Sequence, residues 1–127
     1  MKIKLLKGAN YKKNIKCSIH LSGKLGFSQS AIEELKLDSK KYIAFGINEE
    51  NEKDASLFMF IFNDEQEDAF KLVKAGNYYY LNTKKMFDDL GLDYKAKTYI
   101  YDISEMDYEG ETIYKLTRRE YDRKEKN

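Results

Sequence analysis

The feature that most constrains this chain is an internal repeat. Residues 23 to 47 and residues 76 to 103 carry the same order of residue types. Six positions match in chemical type at an offset of 55 residues. The matched pairs are Ser28 with Thr83, Glu33 with Asp88, Glu34 with Asp89, Leu35 with Leu90, Leu37 with Leu92, and Asp38 with Asp93. At an offset of 56, the apolar residues 43 to 47 fall on residues 99 to 103, so both copies end in a strand. A fixed period indicates a duplicated structural unit.

The length of 127 residues is typical of one domain with a core large enough to need no covalent crosslinks. We therefore expect a single domain, 1–127, made of two repeats. The repeats span 14–63 and 69–119, a short acidic spacer covers 64–68, and a frayed tail covers 120–127.

Several kinds of catalytic and metal site have no support in the sequence. The only cysteine, Cys17, can form no internal disulfide, and it lies an odd number of residues from the only histidine, His20, so the two share no strand face. We interpret Cys17 as a small buried apolar residue. The acidic pairs Glu33-Glu34 and Asp88-Asp89 are adjacent on predicted helices, where neighbours point about 100° apart, so they form solvated faces. We expect no enzymatic activity, no cofactor and no metal.

Charge is unevenly distributed along the chain. Residues 1–24 contain seven lysines and no acid, residues 25–70 contain four lysines and eleven acids, and residues 71–127 contain twelve basic and eleven acidic residues. Such segregation fits contact with nucleic acid, and it fits equally well complementary contact between neighbouring protein surfaces. No apolar run approaches membrane-spanning length and Met1 to Lys7 lacks a signal-peptide core, so we expect a cytoplasmic protein without membrane contact.

Each copy has the pattern of strand, turn, strand, short helix, strand, turn and strand. Alternation from Ile15 to Leu21 predicts a half-buried strand, and residues 28 to 35 are expected to form a short helix capped by Ser28 or Ser30. The second helix is expected to be capped by Asn82 or Thr83. The continuous apolar run from Leu57 to Phe62 predicts a strand buried on both faces at the centre of the fold. A hairpin follows, with strands at 98 to 104 and 111 to 118.

Three consecutive tyrosines, Tyr78 to Tyr80, allow two interpretations. Exposed aromatic rings beside lysines can stack on single-stranded bases. Burial in an aromatic-rich core is the alternative that we favour for them, because tyrosine can bury its ring while its hydroxyl reaches water.

The core of the first copy, from Gly23-Lys24 through Ser28 and Ala31 to Leu35 and Leu37, resembles the AbrB/MazE swapped-hairpin family of DNA-binding domains. Two copies in one chain resemble the arrangement of the MraZ relatives. The resemblance implies an α+β, mainly β fold, in which two tandem strand-turn-strand-helix-strand-strand units pack into one swapped-hairpin-like body.

The same resemblance implies a small protein that binds double-stranded DNA, a transcriptional regulator acting mainly through contacts between lysines and phosphates. The expected contact residues are Lys16, His20, Lys24, Lys71, Lys74, Lys84 and Lys85. The chain departs from the family pattern where Ser28 and Thr83 replace proline, and where acids occupy helix positions that relatives fill with bases.

These departures support an alternative function, that of a protein-interaction module which retains the fold and has lost DNA binding. Its partner would be another protein or an identical chain in a homodimer. The expected contacts are at an unpaired strand carrying Leu5, Ile15 or Tyr114.

Overall fold

The computed structural model describes residues 1–6 and 15–123. Strands make up 44% of the described residues and helices 10%, so the fold is mainly β, as expected. The strands form one antiparallel sheet, and two short helices connect them.

The strands within the described ranges are β1 (Lys16–Ile19), β2 (Leu25–Phe27), β3 (Tyr42–Gly46), β4 (Leu57–Phe62), β5 (Phe70–Lys71), β6 (Val73–Ala75), β7 (Tyr78–Leu81), β8 (Lys97–Tyr108) and β9 (Glu111–Asp122). The helices are α1 (Gln29–Glu34) and α2 (Lys84–Asp89). Each helix has six residues, too few to be stable alone in water, so both depend on packing against the sheet.

The order of strands in the sheet is β5-β3-β4-β9-β8-β1-β2-β7-β6. Its two end strands, β5 and β6, are consecutive in the chain and are separated only by Leu72. Leu72 is buried, and its amide donates a hydrogen bond to the carbonyl of Lys41 at 3.0 Å. One continuous stretch of chain therefore forms both ends of the sheet, which is nearly closed.

The core lies inside this curved sheet and follows the alternation of side chains along each strand. Cys17 and Ile19 of β1 point inward, as do Tyr99 and Tyr101 of β8, and all four are buried. The expectation that Cys17 is a buried apolar residue is confirmed. Burial raises the pKa of its thiol, so this group is unreactive near neutral pH.

The two helices begin differently. Ser28 caps α1, because its hydroxyl oxygen accepts a hydrogen bond from the amide of Ala31 at 3.2 Å. Thr83 occupies the corresponding position of α2, but its side chain forms no cap. Its buried hydroxyl instead donates to the carbonyl of Gly23 at 3.0 Å, and so ties the start of α2 to the loop between β1 and β2. The expectation that Asn82 or Thr83 caps α2 is therefore correct for the position of Thr83 and wrong for the role of its side chain.

Strand β4 is not buried on both faces. Leu57 and Met59 point into the core, while Phe58 and Phe60 are only half-buried on the outer face. The run is apolar throughout because its outer face borders a groove instead of open solvent.

The hairpin of β8 and β9 is longer than predicted. Both strands have twelve residues, and they are joined by the turn at Glu109 and Gly110. Residues 120 to 122, expected in the frayed tail, belong to β9 and pair with β8. Residues 124 to 127 lie outside the described residues. Among the helices that the structure describes, none has the length and apolar character needed to cross a membrane.

Candidate nucleic-acid interface

One half of the sheet is free of acidic residues in its sequence. Residues 15–27 and 73–87 contain no aspartate or glutamate and carry five lysines. These segments supply β1, β2, β7 and β6, which are consecutive neighbours in the sheet. We call this region the acid-free half. Lysines in it act without a carboxylate on the same strands, which favours contact with an anionic partner.

The outer face of the acid-free half carries a cluster of His20, Lys24, Tyr78 and Tyr80, here called the tyrosine cluster. The rings of Tyr78 and Tyr80 stack, with centroids 5.9 Å apart and planes inclined by 24°. The Nζ of Lys24 lies 4.5 Å from the centroid of the Tyr80 ring, close enough for a cation–π contact. The hydroxyl of Tyr78 is hydrogen-bonded to Nε2 of His20, and the two rings meet edge to face. Cation and aromatic rings are thus held together in one arrangement.

Gly26 is the residue that allows this cluster to close. It lies opposite Ser18 and Tyr80 in the sheet, on strand β2. A Cβ atom at this position would overlap with both the Tyr78 hydroxyl and the His20 ring. The absent side chain leaves room for the tyrosine and the histidine to meet above the backbone.

The histidine in the cluster is held in its neutral form. Burial of part of the ring lowers the pKa of His20 below its usual value, and the positive charges of Arg123 and Lys24 lower it further. A neutral imidazole can accept the hydrogen bond of the Tyr78 hydroxyl, whose own pKa is raised by burial and by Tyr80. The pair is therefore stable as a hydrogen bond between neutral groups at neutral pH.

A shallow groove of about 490 Å³ adjoins the cluster. It is lined by Ser18, Ile19, His20, Leu21, Ser22, Thr98 and Arg123. Its polar groups are hydroxyls, an imidazole and a guanidinium, and no carboxylate lines it. Hydroxyl and guanidinium donors are the groups that bind phosphate oxygens in nucleic-acid complexes.

Two of the expected contact lysines, Lys84 and Lys85, lie at the start of α2. The side-chain stem of Lys84 approaches the backbone of Gly23, in the loop between β1 and β2. Its Nζ forms an ion pair with Asp88 at 2.7 Å, and Lys85 forms one with Asp89 at 3.1 Å. Hydrogen bonds from Lys84 and then Tyr94 lower the pKa of Asp88, which is charged at neutral pH. Both lysines are thus partly neutralised by acids of their own helix.

The three remaining expected lysines are dispersed. Lys16 lies on the same outer face as Ser18 and His20, because the three residues alternate along the chain. On the neighbouring strand β8 it is opposite Asp102. Lys71 lies on β5, at the other end of the sheet. The Nζ of Lys74 lies 5.8 Å from the centroid of the Tyr79 ring. Lys74 also lines a groove with Ile32 of α1, and this groove is on the opposite face of the sheet from the tyrosine cluster. The structure brings His20 and Lys24 together around Tyr78 and Tyr80, and it does not bring Lys71 and Lys74 to the same place.

The sequence interpretation missed part of this surface. Tyr78 is 36% exposed and Tyr80 is half-buried on the outer face, so their predicted core burial is wrong. Only Tyr79, on the other face of β7, packs against the core. The signal that could have identified the exposed tyrosines is their alternation within a strand that lacks acids. Arg123 follows β9 in a segment predicted to be frayed, and no sequence pattern marked it.

Among the described residues, no group of histidines, cysteines and acids is arranged to hold a metal ion. Comparisons with known proteins found no matching family model, no similar curated protein and no similar solved structure.

Proposed function

We propose that this chain is a small cytoplasmic DNA-binding protein, a transcriptional regulator that acts without a cofactor and binds through the acid-free half of its sheet. The observation that carries the proposal is the absence of acidic residues from four neighbouring strands that carry lysines and exposed tyrosines. Lysine contacts with phosphates supply affinity that falls steeply with salt. Tyr78 and Tyr80 add aromatic surface on which bases can stack.

The strand order supports the further proposal of two tandem units in a swapped-hairpin-like body. We match β1 with the split strand β5–β6, β2 with β7, β3 with β8 and β4 with β9. If each strand is exchanged for its match, the pairings in the sheet stay the same. The pair β1 and β8 becomes the pair β5 and β3. The pairs β2 with β7 and β4 with β9 each join a strand to its own match. Both helices are also followed by a residue with positive φ, Lys36 at 53° and Gly91 at 75°. A duplicated unit explains both the symmetric strand pairing and the positive φ after each helix. Two such units in one body are the arrangement that the resemblance to the AbrB/MazE family implies.

Replacing Lys24 by glutamate tests the DNA-binding proposal. The change removes the cation beside Tyr80 and introduces an acid into the acid-free half, so affinity for DNA should fall about tenfold at low salt. Fluorescence polarisation with labelled duplex and single-stranded oligonucleotides, over a series of salt concentrations, measures the effect. The slope of the logarithm of affinity against the logarithm of salt concentration should also become shallower by about one, the value expected for the loss of one phosphate contact.

The matched control for this titration is Lys40→Glu. Lys40 is exposed and lies outside the acid-free half, two residues after Asp38, so the same charge change there should alter affinity far less. If the two variants lose the same affinity, binding reflects net charge alone and the assigned surface is incorrect. An unmodified chain that binds neither form of DNA at micromolar concentration contradicts the proposal itself.

Replacing Asp88 by asparagine should strengthen DNA binding two- to fivefold, an order-of-magnitude expectation for one exposed charge pair. The amide oxygen can still accept the hydrogen bond that Tyr94 donates at 2.6 Å, while Lys84 is released from its ion pair. The same titration measures the gain, and circular dichroism checks that α2 is retained. Unchanged or weaker binding by a folded Asp88→Asn variant would place Lys84 outside the interface.

A protein-interaction module is the second candidate function. It is favoured by the ion pairs that Lys84 and Lys85 form with Asp88 and Asp89. These acids weaken the attraction of phosphate to the edges of the acid-free half. Recovery of a specific protein partner by a chain that binds no DNA would favour this function over the first.

A further inference from the structure

A second groove lies on the outer face of the sheet, away from the acid-free half. We call it the outer groove. Its volume is about 600 Å³, and it lies between the loop after β3 and the hairpin of β8 and β9. It is lined by Gly46, Ile47, Asn48, Glu49, Glu50, Phe58, Phe60, Met106, Tyr108 and Ile113. The rings of Phe60 and Tyr108 meet edge to face at 6.3 Å, so the hairpin curves over β4.

The floor of the outer groove is apolar and its rim is acidic. Ile113 is buried, with 3% of its surface exposed, yet it is not part of the main core cluster. Ile47 and Tyr108 leave 59% and 48% of their surfaces exposed at the edges of the groove. Glu49 and Glu50 line the rim, and no lysine or arginine lines the groove. A matching occupant would carry aliphatic side chains beside positive charges.

The N-terminal arm of this chain, Met1 to Leu6, has this composition. Ile3, Leu5 and Leu6 are 78%, 86% and 71% exposed, so the arm is not seated on the body of its own chain. In an extended conformation Ile3 and Leu5 point to one side while Lys2 and Lys4 point to the other. Apolar residues on one side and cations on the other complement the floor and the rim of the outer groove.

We propose that the N-terminal arm of one copy inserts into the outer groove of a second copy, and that reciprocal insertion makes a homodimer. Ile3 and Leu5 contact the floor beside Phe60 and Ile113, and Lys2 and Lys4 face the rim carboxylates. A strand of six residues spans about 20 Å, a length suited to a groove that crosses neighbouring strands. This proposal is independent of DNA binding, because the outer groove lies outside the acid-free half.

Analytical ultracentrifugation of the full chain, over a range of protein concentrations, tests the homodimer. The unmodified chain should dimerise, and Leu5→Glu in the arm or Ile47→Glu in the groove should each raise the dissociation constant at least tenfold, as expected for a buried contact residue. Leu21→Glu is the matched control: Leu21 is 59% exposed, as is Ile47, and it lies in the loop between β1 and β2. It should leave dimerisation unchanged.

A mixing experiment tests the assignment of arm to groove. A Leu5→Glu chain retains an intact groove and an Ile47→Glu chain retains an intact arm, so a mixed dimer keeps one of the two contacts. The mixture should therefore associate more tightly than either variant alone.

Charge reversal tests the rim. Lys2→Glu with Lys4→Glu should weaken the dimer, and combining it in one chain with Glu49→Lys and Glu50→Lys should restore association. The proposal is overturned if the chain remains monomeric at all concentrations. This includes the case in which the arm binds the groove of its own chain. Variants that dimerise as the unmodified chain does, or a mixture that gains no affinity, also overturn it.

Discussion

Replacing Gly23 by alanine should lower the free energy of unfolding by about 3 kcal/mol. Two effects contribute. Gly23 has φ at +84°, a left-handed conformation that costs an alanine about 1–2 kcal/mol. Its Cβ would also lie 2.7 to 2.9 Å from Lys84, and one of the atoms met is the backbone Cα at the start of α2. Since a backbone atom cannot move aside alone, the contact would displace the helix from the loop.

Gly76→Ala is the matched control for this substitution. Gly76 holds the corresponding turn of the other copy at φ +64°, and a Cβ there would meet nothing within 4 Å. Only the conformational cost remains, so Gly76→Ala should cost about 1 kcal/mol. Urea denaturation of both variants measures the difference. Equal losses at the two glycines would show that the packing of Lys84 on Gly23 contributes nothing.

The protein should lose about 2–3 kcal/mol of stability between pH 10 and pH 12 through one buried tyrosine. Burial raises the pKa of Tyr101 to about 12, from 10.0 in the unfolded chain. The charged form is thus disfavoured in the folded state. The contribution is fully present below pH 10, where the hydroxyl is neutral in both states, and it is lost as the pH rises towards 12.

Comparison with Tyr101→Phe isolates this effect. The variant has no hydroxyl to ionise, so its stability should fall less steeply over the same range, while all other groups titrate as before. Burial likewise raises the pKa of the Cys17 thiol, and its contribution is common to both proteins. Denaturation by urea at intervals of pH measures both curves. Parallel curves would show that Tyr101 reaches solvent in the folded protein.

The sequence predicted local structure well where a pattern depends on near neighbours. Alternation identified β1, and the repeat located both helices and the residues that follow them. The turn at Glu109 and Gly110 also lies between the two strands predicted for the last hairpin. These features arise from side-chain periodicity and backbone conformation, which short segments largely determine.

The sequence predicted much less of the candidate interface. Tyr78 and Tyr80 were expected in an aromatic-rich core, and their place on the outer face depends on the pairing of β7 with β2, a segment more than 50 residues earlier. The contact of His20 with Tyr78 joins residues 58 positions apart, through a gap that Gly26 provides. The neutralisation of Lys84 by Asp88 is the exception, since a separation of four residues on a helix predicts it.

The closure of the sheet through Leu72 has a consequence for the time course of folding. Cys17 pairs with Tyr101, Leu25 with Leu81 and Met59 with Tyr114, so three of the eight ladders described join segments more than 50 residues apart. Because these distant pairings must also form before the sheet is complete, we expect folding to be slower than that of helical bundles, whose contacts are local. Until residues 70 to 75 engage β3 and β7 together, the strands at both ends expose unpaired main-chain groups to other chains. The same short segment that completes the native sheet therefore sets the interval during which a newly made chain is vulnerable to aggregation.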